Sequence, residues 1–290
     1  MGLFLLQLVN GLTLGIIYGL GALGFTMVYK ALRELNFAHT DTIMIAAFLM
    51  YTFSVTLGLP MYITFSVVII LMLFYGLLIE KVIFKQFRKA SPLTFMLVSI
   101  SLSSVVKNIG LLLCGPEPRS LPLFLGTQKI SIIDTAIPLS NLYILLIALF
   151  FLGVFQLFFT KTKFGLSIRL ASEDTETAEL MGIKVLHVRV AIFAITSALG
   201  GIAGLLVAPL FSVTTELGAQ LALKIFVSAV VGGVGDLTGA IAGGMLVGIT
   251  EALTAAFISS NYKDVIVFTA GIITLAFCPL GIFRRVVNKH

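Results

Sequence analysis

The sequence predicts an all-α, polytopic membrane protein with about eight to nine transmembrane helices. Of its 290 residues, 59% are hydrophobic and 11% are charged, whereas soluble domains carry about 25% charged residues. The mean hydropathy is +1.11, and apolar stretches of about 20 residues, the length that crosses a bilayer as a helix, recur along the chain. The alternating pattern of a membrane β-barrel is absent. We therefore expect one transmembrane domain over residues 1–290.

The first half of the chain contains four predicted spans. They cover residues 3–29, 40–58, 60–80 and 92–114. The first is expected to be a retained span and not a cleaved signal, since no positively charged region precedes it. It carries Gly11, Gly15 and Gly19 at four-residue spacing. Small residues at this spacing allow another helix to approach closely.

The second half contains four further predicted spans and one shorter apolar segment. The spans cover residues 141–159, 189–209, 238–258 and 264–283. The shorter segment, 220–231, has only about a dozen residues and is too short to cross, so it is predicted to be a broken or re-entrant helix. The glycine-rich stretch 232–244 follows. We expect it to interrupt helical structure within the membrane, where exposed backbone is tolerated only in a cavity or inside protein.

Two loops are long enough to have structure of their own. Residues 115–140 contain four prolines and are predicted to form an external loop, with an extended segment at 129–133. Residues 160–188 hold four acids and four cations. A segment this polar lies in water because charged side chains are costly in hydrocarbon.

The polar loop 160–188 is predicted to contain two short helices. The first covers residues 164–170. The second begins after Ser172, a favourable N-cap, and ends at Gly182, a favourable C-cap. Ala178, Leu180 and Met181 give the second helix a small apolar face. Two interpretations remain open: the helix docks into a partner, or the loop is a solvated connector.

The positive charges predict the orientation. If the basic loop at 81–91 faces the cytoplasm, fourteen of the nineteen cations lie inside, as the positive-inside rule favours. The N-terminus is then external and the polar loop cytoplasmic. The C-terminus is cytoplasmic as well if the short segment 220–231, or its equivalent, crosses the membrane. Lys107 and Lys224 fall near external ends of spans and are expected to extend toward the interface.

Several polar side chains fall within or beside the predicted spans. An intramembrane carboxylate is a functional candidate, so Glu251 is expected either to have a functional role or to serve as a protonated or hydrogen-bonded packing group. Asp236 stands where a helix N-terminus is predicted and caps it or borders the pathway. His39 and Asp41 flank the start of a span and either cap it or gate the pathway.

Motifs for catalysis and cofactor binding are absent from the sequence. It contains no phosphate-binding G-x-x-x-x-G-K-[ST] loop, no G-x-S-x-G and no H-E-x-x-H. We therefore expect no enzymatic activity and no cofactor or metal bound by this chain. The net charge of +6 comes from cations that flank spans and does not indicate nucleic-acid binding.

Four ordered stretches carry a resemblance that covers nearly the whole chain. They are LVNGLTLGIIYGLGALGFTMVYK at 8–30, LNFAHTDTIMIAAF at 35–48, TKFGLSIRLASEDTETAELMGI at 162–183 and LKIFVSAVVGGVGDLTGAIAGGMLVGITEAL at 223–253. Together they resemble the permease subunits of bacterial branched-chain amino acid ABC importers, and most closely the shorter of the two paired permeases. The resemblance implies a protein of the bacterial inner membrane with a second permease, two cytosolic ATP-binding subunits that use the ATP, and an external solute-binding protein.

The resemblance also implies roles for individual residues. In such importers the polar loop is the coupling element that sits in a cleft of the ATPase. That role is carried onto Arg169, Glu173, Asp174, Ala178 and Gly182. The implied translocation pathway or gate comprises Asn36, His39, Asp41, Gly232, Gly233, Gly235, Asp236 and Glu251.

The chain departs from the family pattern at three positions near the implied pathway. The family usually has Gly in place of Thr40, and often Ser and Pro in place of Asp236 and Thr238. These departures leave the identity of the transported solute undetermined, since related permeases carry other amino acids, urea or amides. The alternative is a transporter or channel driven by an ion gradient, with Asp41, Asp236 and Glu251 as ion sites.

Overall fold

A computed structural model describes residues 2–88, 90–122, 128–132, 135–278 and 281–283. Within these residues the chain is almost entirely helical. Its helices are α1 Gly2–Leu32, α2 Asp41–Tyr51, α3 Met61–Val82, α4 Pro92–Cys114, α5 Leu139–Lys161, α6 Lys163–Glu173, α7 Thr175–Leu180, α8 Val185–Val207, α9 Leu217–Gly232, α10 Leu237–Phe257 and α11 Lys263–Phe277. The C-terminal cations Arg284, Arg285 and Lys289 lie outside the described residues.

Six helices are long and apolar enough to cross a membrane: α1, α3, α4, α5, α8 and α10. The prediction of a polytopic all-α membrane protein is thereby confirmed. Two other predicted spans are shorter than expected. The span predicted at 40–58 is divided into α2 and a π-helical turn, Thr52–Thr56, and α11 has 15 residues. Helix α9, predicted as a short segment of about a dozen residues, is longer than expected, with 16 residues.

The core is centred on α1, which packs against both α10 and α8. Helices α1 and α10 run antiparallel and contact each other through their backbones, because both present glycine. A Cβ atom on Gly15 would stand 2.7 Å from Cα of Met245, and one on Gly11 would stand 2.8 Å from Cα of Ile249. The predicted role of the α1 glycine stripe, close approach of a second helix, is confirmed.

Helix α9 connects the two ends of the bundle and does not turn back as a re-entrant helix would. It begins just after Val213, whose backbone pairs with Arg119 of the loop that follows α4. It ends at Gly232, and the next turn leads into α10. That turn lies beside Lys30 and Arg169, at the end of the bundle that carries the polar loop.

The glycine-rich break therefore lies at a helix end and not within the membrane-spanning part, so this prediction was wrong. The physical reason is the reversal of direction between α9 and α10. Gly233 and Gly235 both have positive φ, +104° and +96°, which glycine adopts without steric cost. The glycines form a tight turn between two antiparallel helices.

The predicted external loop contains a short antiparallel hairpin, β1 Lys129–Ile132 and β2 Thr135–Pro138. In its register Lys129 pairs with Pro138 and Ile132 with Thr135. The extended segment predicted at 129–133 is confirmed as far as Ile132, and Ile133 lies outside the described residues.

The polar loop forms two helices, as predicted, but the second begins two residues later than expected. Ser172 is inside α6, where its hydroxyl donates to the carbonyl of Arg169 at 2.7 Å. The carboxylate of Asp174 accepts from the backbone N–H of Thr177 at 3.3 Å and so caps α7. An ionised carboxylate at a helix N-terminus is favoured by the helix dipole, which explains why Asp174 and not Ser172 occupies this position.

The C-terminal end of α7 is as predicted. Gly182 has a φ of +82°. The N–H of Gly182 donates to the carbonyl of Glu179 at 2.9 Å, and the N–H of Ile183 donates to the carbonyl of Ala178 at 3.0 Å. These two bonds define a Schellman motif, in which glycine occupies the left-handed position.

Candidate functional site

The chain between α1 and α2 descends into the middle of the bundle without forming an α-helix. Residues 33–36 are non-helical and lead into a 3₁₀ helix, Phe37–Thr40. The imidazole of His39 packs between Gly24 of α1 and Gly200 of α8. Gly24 is eight residues, or about 12 Å, from the C-terminal end of α1. The segment 33–40, named here the central break, thus reaches about mid-depth.

Three of the predicted pathway residues lie here: two in the central break, and Asp41 directly after it as the first residue of α2. All three side chains are buried. Asn36 is 6% exposed, His39 2% and Asp41 3%. Within the described part of the chain, Oδ1 of Asn36 has no hydrogen-bond partner. Buried polar atoms normally have partners inside the protein, so an unpaired acceptor here indicates a site that meets water or a ligand.

Neighbouring helices hold the central break in place by aromatic packing and hydrogen bonds. The ring of Phe37 lies 5.9 Å from that of Phe25 and 6.0 Å from that of Phe226. The backbone N–H of Phe37 donates to the hydroxyl of Ser99 at 3.1 Å. The serine of α4 thereby replaces the hydrogen bond that an α-helix would have supplied, as non-helical backbone at membrane depth requires.

Glu251 lies in a buried ionic cluster toward the opposite end of the bundle from the polar loop. Its carboxylate accepts from the hydroxyl of Tyr18 at 2.8 Å and from Nζ of Lys224 at 2.5 Å. Lys224 also contacts Asp264 at 3.0 Å, and Nζ of Lys263 lies 3.5 Å from Glu251. The expectation that Lys224 extends to the interface was wrong. Lys224 is 8% exposed because two carboxylates compensate its charge inside the bundle.

A cavity of about 280 Å³ opens beside Glu251. Its polar lining includes Glu251, Lys263, Asn10 and Asn141, and its apolar lining includes Leu14 and Phe211. The side-chain amide of Asn141 donates to Asn10 at 2.7 Å. A carboxylate, an ammonium group, side-chain amides and apolar walls together suit a small zwitterion with an apolar side chain.

The residues assigned to the coupling loop occupy different environments. Gly182 and Asp174 hold the ends of α7. Ala178 is 1% exposed and packs into the chain's own core, whereas Leu180 is 89% exposed and Met181 65%. The predicted common apolar face of these three residues was therefore wrong, because a six-residue helix places Ala178 on the side opposite Leu180. The side chain of Glu173 lies outside the described residues.

Arg169 of the polar loop faces the turn between α9 and α10 across a small cavity. Its guanidinium lies 5.9 Å from the centre of the Phe159 ring, and Nη2 donates to the carbonyl of Thr160 at 3.4 Å. Arg169 and Asp236 line one small cavity together with Lys30 of α1. Asp236 caps α10, since its Oδ1 accepts from the N–H groups of Thr238 and Gly239 at 3.0 and 3.2 Å.

The structure thus distributes the predicted pathway residues over three places. Asn36 and His39 lie in the central break, and Asp41 directly follows it. Gly232, Gly233, Gly235 and Asp236 form the α9–α10 turn beside the polar loop. Glu251 lies in its ionic cluster against Tyr18, six residues or about 9 Å along α1 from Gly24.

One polar cluster was missed by sequence reasoning. Arg189, near the start of α8, contacts Glu34 at 2.8 Å and Glu80 at 3.2 Å, and Glu80 also binds Arg88 at 2.7 Å. The Arg189 guanidinium stands 5.7 Å from the centre of the Phe95 ring. Arg189 was interpreted as a span boundary. The available signal was the pair of acids, Glu34 and Glu80, at span ends that are otherwise basic.

Comparison with known proteins gives one consistent family. The family model described as "Branched-chain amino acid transport system / permease component" matches residues 7–275. The chain is similar to the high-affinity branched-chain amino acid transport system permease protein BraD of Pseudomonas aeruginosa, with 32% identity over 97% of this chain and 96% of the relative. It is similar to LivH of Escherichia coli K12, a permease protein of the same description, with 30% identity over 97% of this chain and 96% of the relative.

A more distant relative has a similar description. The probable branched-chain amino acid transport permease protein LivH of Methanocaldococcus jannaschii is 26% identical over 90% of this chain and 86% of the relative. No solved structure matches the chain.

Proposed function

Because the chain belongs to the branched-chain amino acid transport permease family, we propose that it is a membrane-spanning subunit of an ATP-binding cassette importer. It would move branched-chain amino acids, or a similar small polar solute, into the cytoplasm. It is a multi-pass membrane protein. In this proposal it lies in a bacterial inner membrane with its N-terminus external and its C-terminus cytoplasmic, and α2, α9 and α11 cross the membrane together with the six longer helices.

The importer would contain four kinds of subunit. A second permease pairs with this chain, two cytosolic ATP-binding subunits supply the energy, and an external solute-binding protein delivers the solute. ATP is bound and hydrolysed by the ATP-binding subunits and not by this chain. Division of labour of this kind agrees with a sequence that has transmembrane helices but no phosphate-binding motif.

The observation that carries the transport proposal is the central break. Non-helical backbone and polar side chains inside a bilayer are costly, and membrane proteins retain them where they line a route for polar solutes. Here Asn36, His39 and Asp41 stand at about mid-depth, at the start of a helix that begins inside the bundle. Transporters use discontinuous helices of this kind to contact the charged groups of a solute.

The cavity beside Glu251 is proposed as a second contact for the solute. It lies toward the end of the bundle that the proposed orientation places outside the cell. Lys263 would bind the solute carboxylate and Glu251 its ammonium group, while Leu14 and Phe211 contact its aliphatic part. The solute would pass from this cavity toward the central break.

Helices α6 and α7 are proposed to couple the ATP-binding subunits to the bundle. The exposed side chains of Leu180 and Met181 project from a loop that is otherwise strongly polar, as expected of a surface that docks into a partner. Arg169 lies beside the α9–α10 turn. A push on α6 would reach that turn and shift α9 and α10 as rigid bodies.

Reconstitution of the whole transporter tests the proposal. The chain is expressed together with a second permease, ATP-binding subunits and a solute-binding protein from the same organism, and the complex is placed in liposomes with ATP inside. We expect uptake of leucine that persists when a protonophore collapses the proton gradient and stops when ATP is removed. Uptake that the protonophore abolishes, or a chain that purifies without any ATP-binding subunit, would refute the proposal.

A further inference from the structure

A basic cleft lies between α3 and the start of α8, apart from the pathway residues. Its volume is about 390 Å³. Lys81, Lys85 and Arg88 line it from α3 and the 3₁₀ helix that follows, and His187 lines it from α8. Leu77 and Val190 are among its apolar walls. The cleft therefore combines four basic side chains with an apolar interior.

Helices α3 and α8 are in backbone contact at one level and diverge from there toward the cleft. A Cβ atom on Gly76 would stand 2.8 Å from Cα of Ala194, so the helices are closest at that level. Lys81 and His187 stand beyond this contact, toward the ends of the two helices, where the space between them opens.

The charges in the cleft are not compensated equally. Arg88 is held by Glu80, which accepts from its Nε at 2.9 Å and its Nη2 at 2.7 Å. Among the described residues, no carboxylate lies within ion-pair distance of Lys81 or Lys85. Both lysines are exposed. The cleft thus presents two uncompensated ammonium groups beside a guanidinium that Glu80 holds in place.

The surroundings of the cleft are apolar. Leu78 and Val82, on the outer surface of α3, are 57% and 56% exposed, and Leu186 of α8 is 51% exposed. In a membrane protein such side chains contact lipid tails. The basic rim therefore lies where the hydrocarbon region gives way to the headgroup region.

From these contacts we infer that the basic cleft binds the headgroup of an anionic phospholipid. Lys81 and Lys85 contact the phosphate, and an acyl chain lies along Leu77 and Val190. Basic pockets between transmembrane helices recognise lipid headgroups in this way. A free phosphate ion satisfies the lysines but not the apolar walls, and an acidic protein surface satisfies the rim but does not enter the interior. The lipid satisfies both.

Lipid retention by the purified complex tests this inference. The complex is delipidated in detergent, incubated with phosphatidylglycerol or phosphatidylcholine, and analysed for bound lipid by native mass spectrometry. We expect phosphatidylglycerol to bind in preference to phosphatidylcholine. The double substitution Lys81→Gln and Lys85→Gln should weaken phosphatidylglycerol binding about 30-fold at low salt. Each lysine near an anionic lipid surface strengthens binding roughly fivefold, and the two effects multiply.

The matched control is the double substitution Lys161→Gln and Lys163→Gln. It removes the same charge from exposed lysines at the same end of the bundle, outside the cleft, and should leave lipid retention unchanged. A second variant, Val190→Trp, keeps both cleft lysines but fills the apolar interior, and should also reduce retention. These three results together support the inference.

Other outcomes overturn it. An equal loss of phosphatidylglycerol in the cleft variant and in the control variant means that lipid binding is not confined to the cleft. Equal retention of phosphatidylcholine means that the cleft does not recognise headgroup charge. Displacement of the lipid by inorganic phosphate at equal concentration identifies a free-anion site, and loss of the ATP-binding subunits in the cleft variant alone identifies a protein contact.

Discussion

Glu251 illustrates at the scale of one residue how a charge is accommodated inside an apolar bundle. A buried ion pair is costly unless hydrogen bonds satisfy the remaining atoms. Here Oε2 accepts from Tyr18, and Oε1 accepts from Lys224 with Lys263 nearby. Asp264 also contacts Lys224. The cluster therefore contains two carboxylates and two ammonium groups.

We predict that Glu251→Gln lowers leucine uptake about tenfold, equivalent to roughly 1.4 kcal/mol in the transport barrier. The amide retains the shape of the side chain but not the charge that would bind the solute ammonium group. Initial uptake rates in the reconstituted complex, normalised to inserted protein, provide the measurement.

The control for this variant is Glu216→Gln. It removes a carboxylate that is half exposed and pairs with Lys107, so uptake should not change. Wild-type uptake by the Glu251 variant would make Glu251 a packing residue and exclude it from the pathway.

Arg189 is expected to matter for stability. The substitution Arg189→Gln leaves Glu34 buried without its partner, and breaking a buried ion pair costs about 3–5 kcal/mol. We therefore expect a clearly lower thermal unfolding midpoint in detergent. Lys107→Gln, which breaks the exposed pair with Glu216, should cost about 1 kcal/mol or less.

The pH dependence of the Arg189 variant provides an internal check. Burial raises the pKa of the Glu34 carboxyl, and Arg189 acts in the opposite direction. Without Arg189 the raised pKa means that Glu34 is protonated more readily in the folded state. The stability deficit should then shrink as the pH falls through that pKa and return as it rises. A deficit that does not change with pH would contradict this explanation.

These residues also mark how far sequence reasoning extends. Glu251 could be identified because one carboxylate in an apolar stretch is conspicuous. Its partner Lys224 could not, since the two are 27 positions apart and the pair forms only when α9 and α10 pack. The same applies to Glu34 and Arg189, which are separated by 155 positions.

At the scale of elements, hydropathy located the long helices well and the interrupted ones poorly. The predicted span 92–114 coincides with α4, because a serine N-cap and Pro92 define its start locally. The predicted spans 3–29 and 40–58 left residues 30–39 between them, outside the membrane. Residues 34–40 are instead buried or half-buried, because Gly24 and Gly200 leave room for His39 inside the bundle, a fact that no local pattern reveals.

The coupling proposal belongs to this scale and can be tested on Gly182. We predict that Gly182→Val uncouples ATP hydrolysis from uptake, lowering the leucine transported per ATP hydrolysed. Valine is strained at a φ of +82°, so the end of α7 should distort where Leu180 and Met181 project. The measurement is the ratio of uptake to phosphate release in proteoliposomes.

The matched control is Gly58→Val. Gly58 has a φ of +64°, and a Cβ atom there, as at Gly182, would meet nothing within 4 Å. It lies between α2 and α3, away from the polar loop, so coupling should be unaffected. Equal ratios in both variants would show that the α7 end does not transmit the ATPase cycle.

At the scale of the whole molecule, composition alone was sufficient for the class of fold. The glycine stripe of α1 predicted a close helix contact, and α10 provides it through Gly244 and Gly248. The location of the glycine-rich turn could not be deduced, because glycine is equally compatible with a break in mid-membrane and a turn at its edge. Only the packing of α9 against α10 distinguishes them.

The orientation of the bundle is the remaining prediction, and it applies to the entire chain. The basic loop and the polar loop should face the cytoplasm, and the loop that follows α4 should face outward, since cations are retained on the cytoplasmic side. Single cysteines introduced by Glu117→Cys and Glu179→Cys, in a chain with Cys114→Ser and Cys278→Ser, report on the two ends. Both glutamates are exposed.

We expect a membrane-impermeant maleimide to label the cysteine at position 117 from outside the inner membrane and the cysteine at position 179 only after the membrane is opened. The binding protein would then approach the end near Glu251, while the ATP-binding subunits approach α6 and α7. The reverse labelling pattern would place the Glu251 cavity on the cytoplasmic side. In that case the polar loop could not reach a cytosolic ATPase, and the coupling role of α7 would have to be abandoned even though the fold itself remained the same.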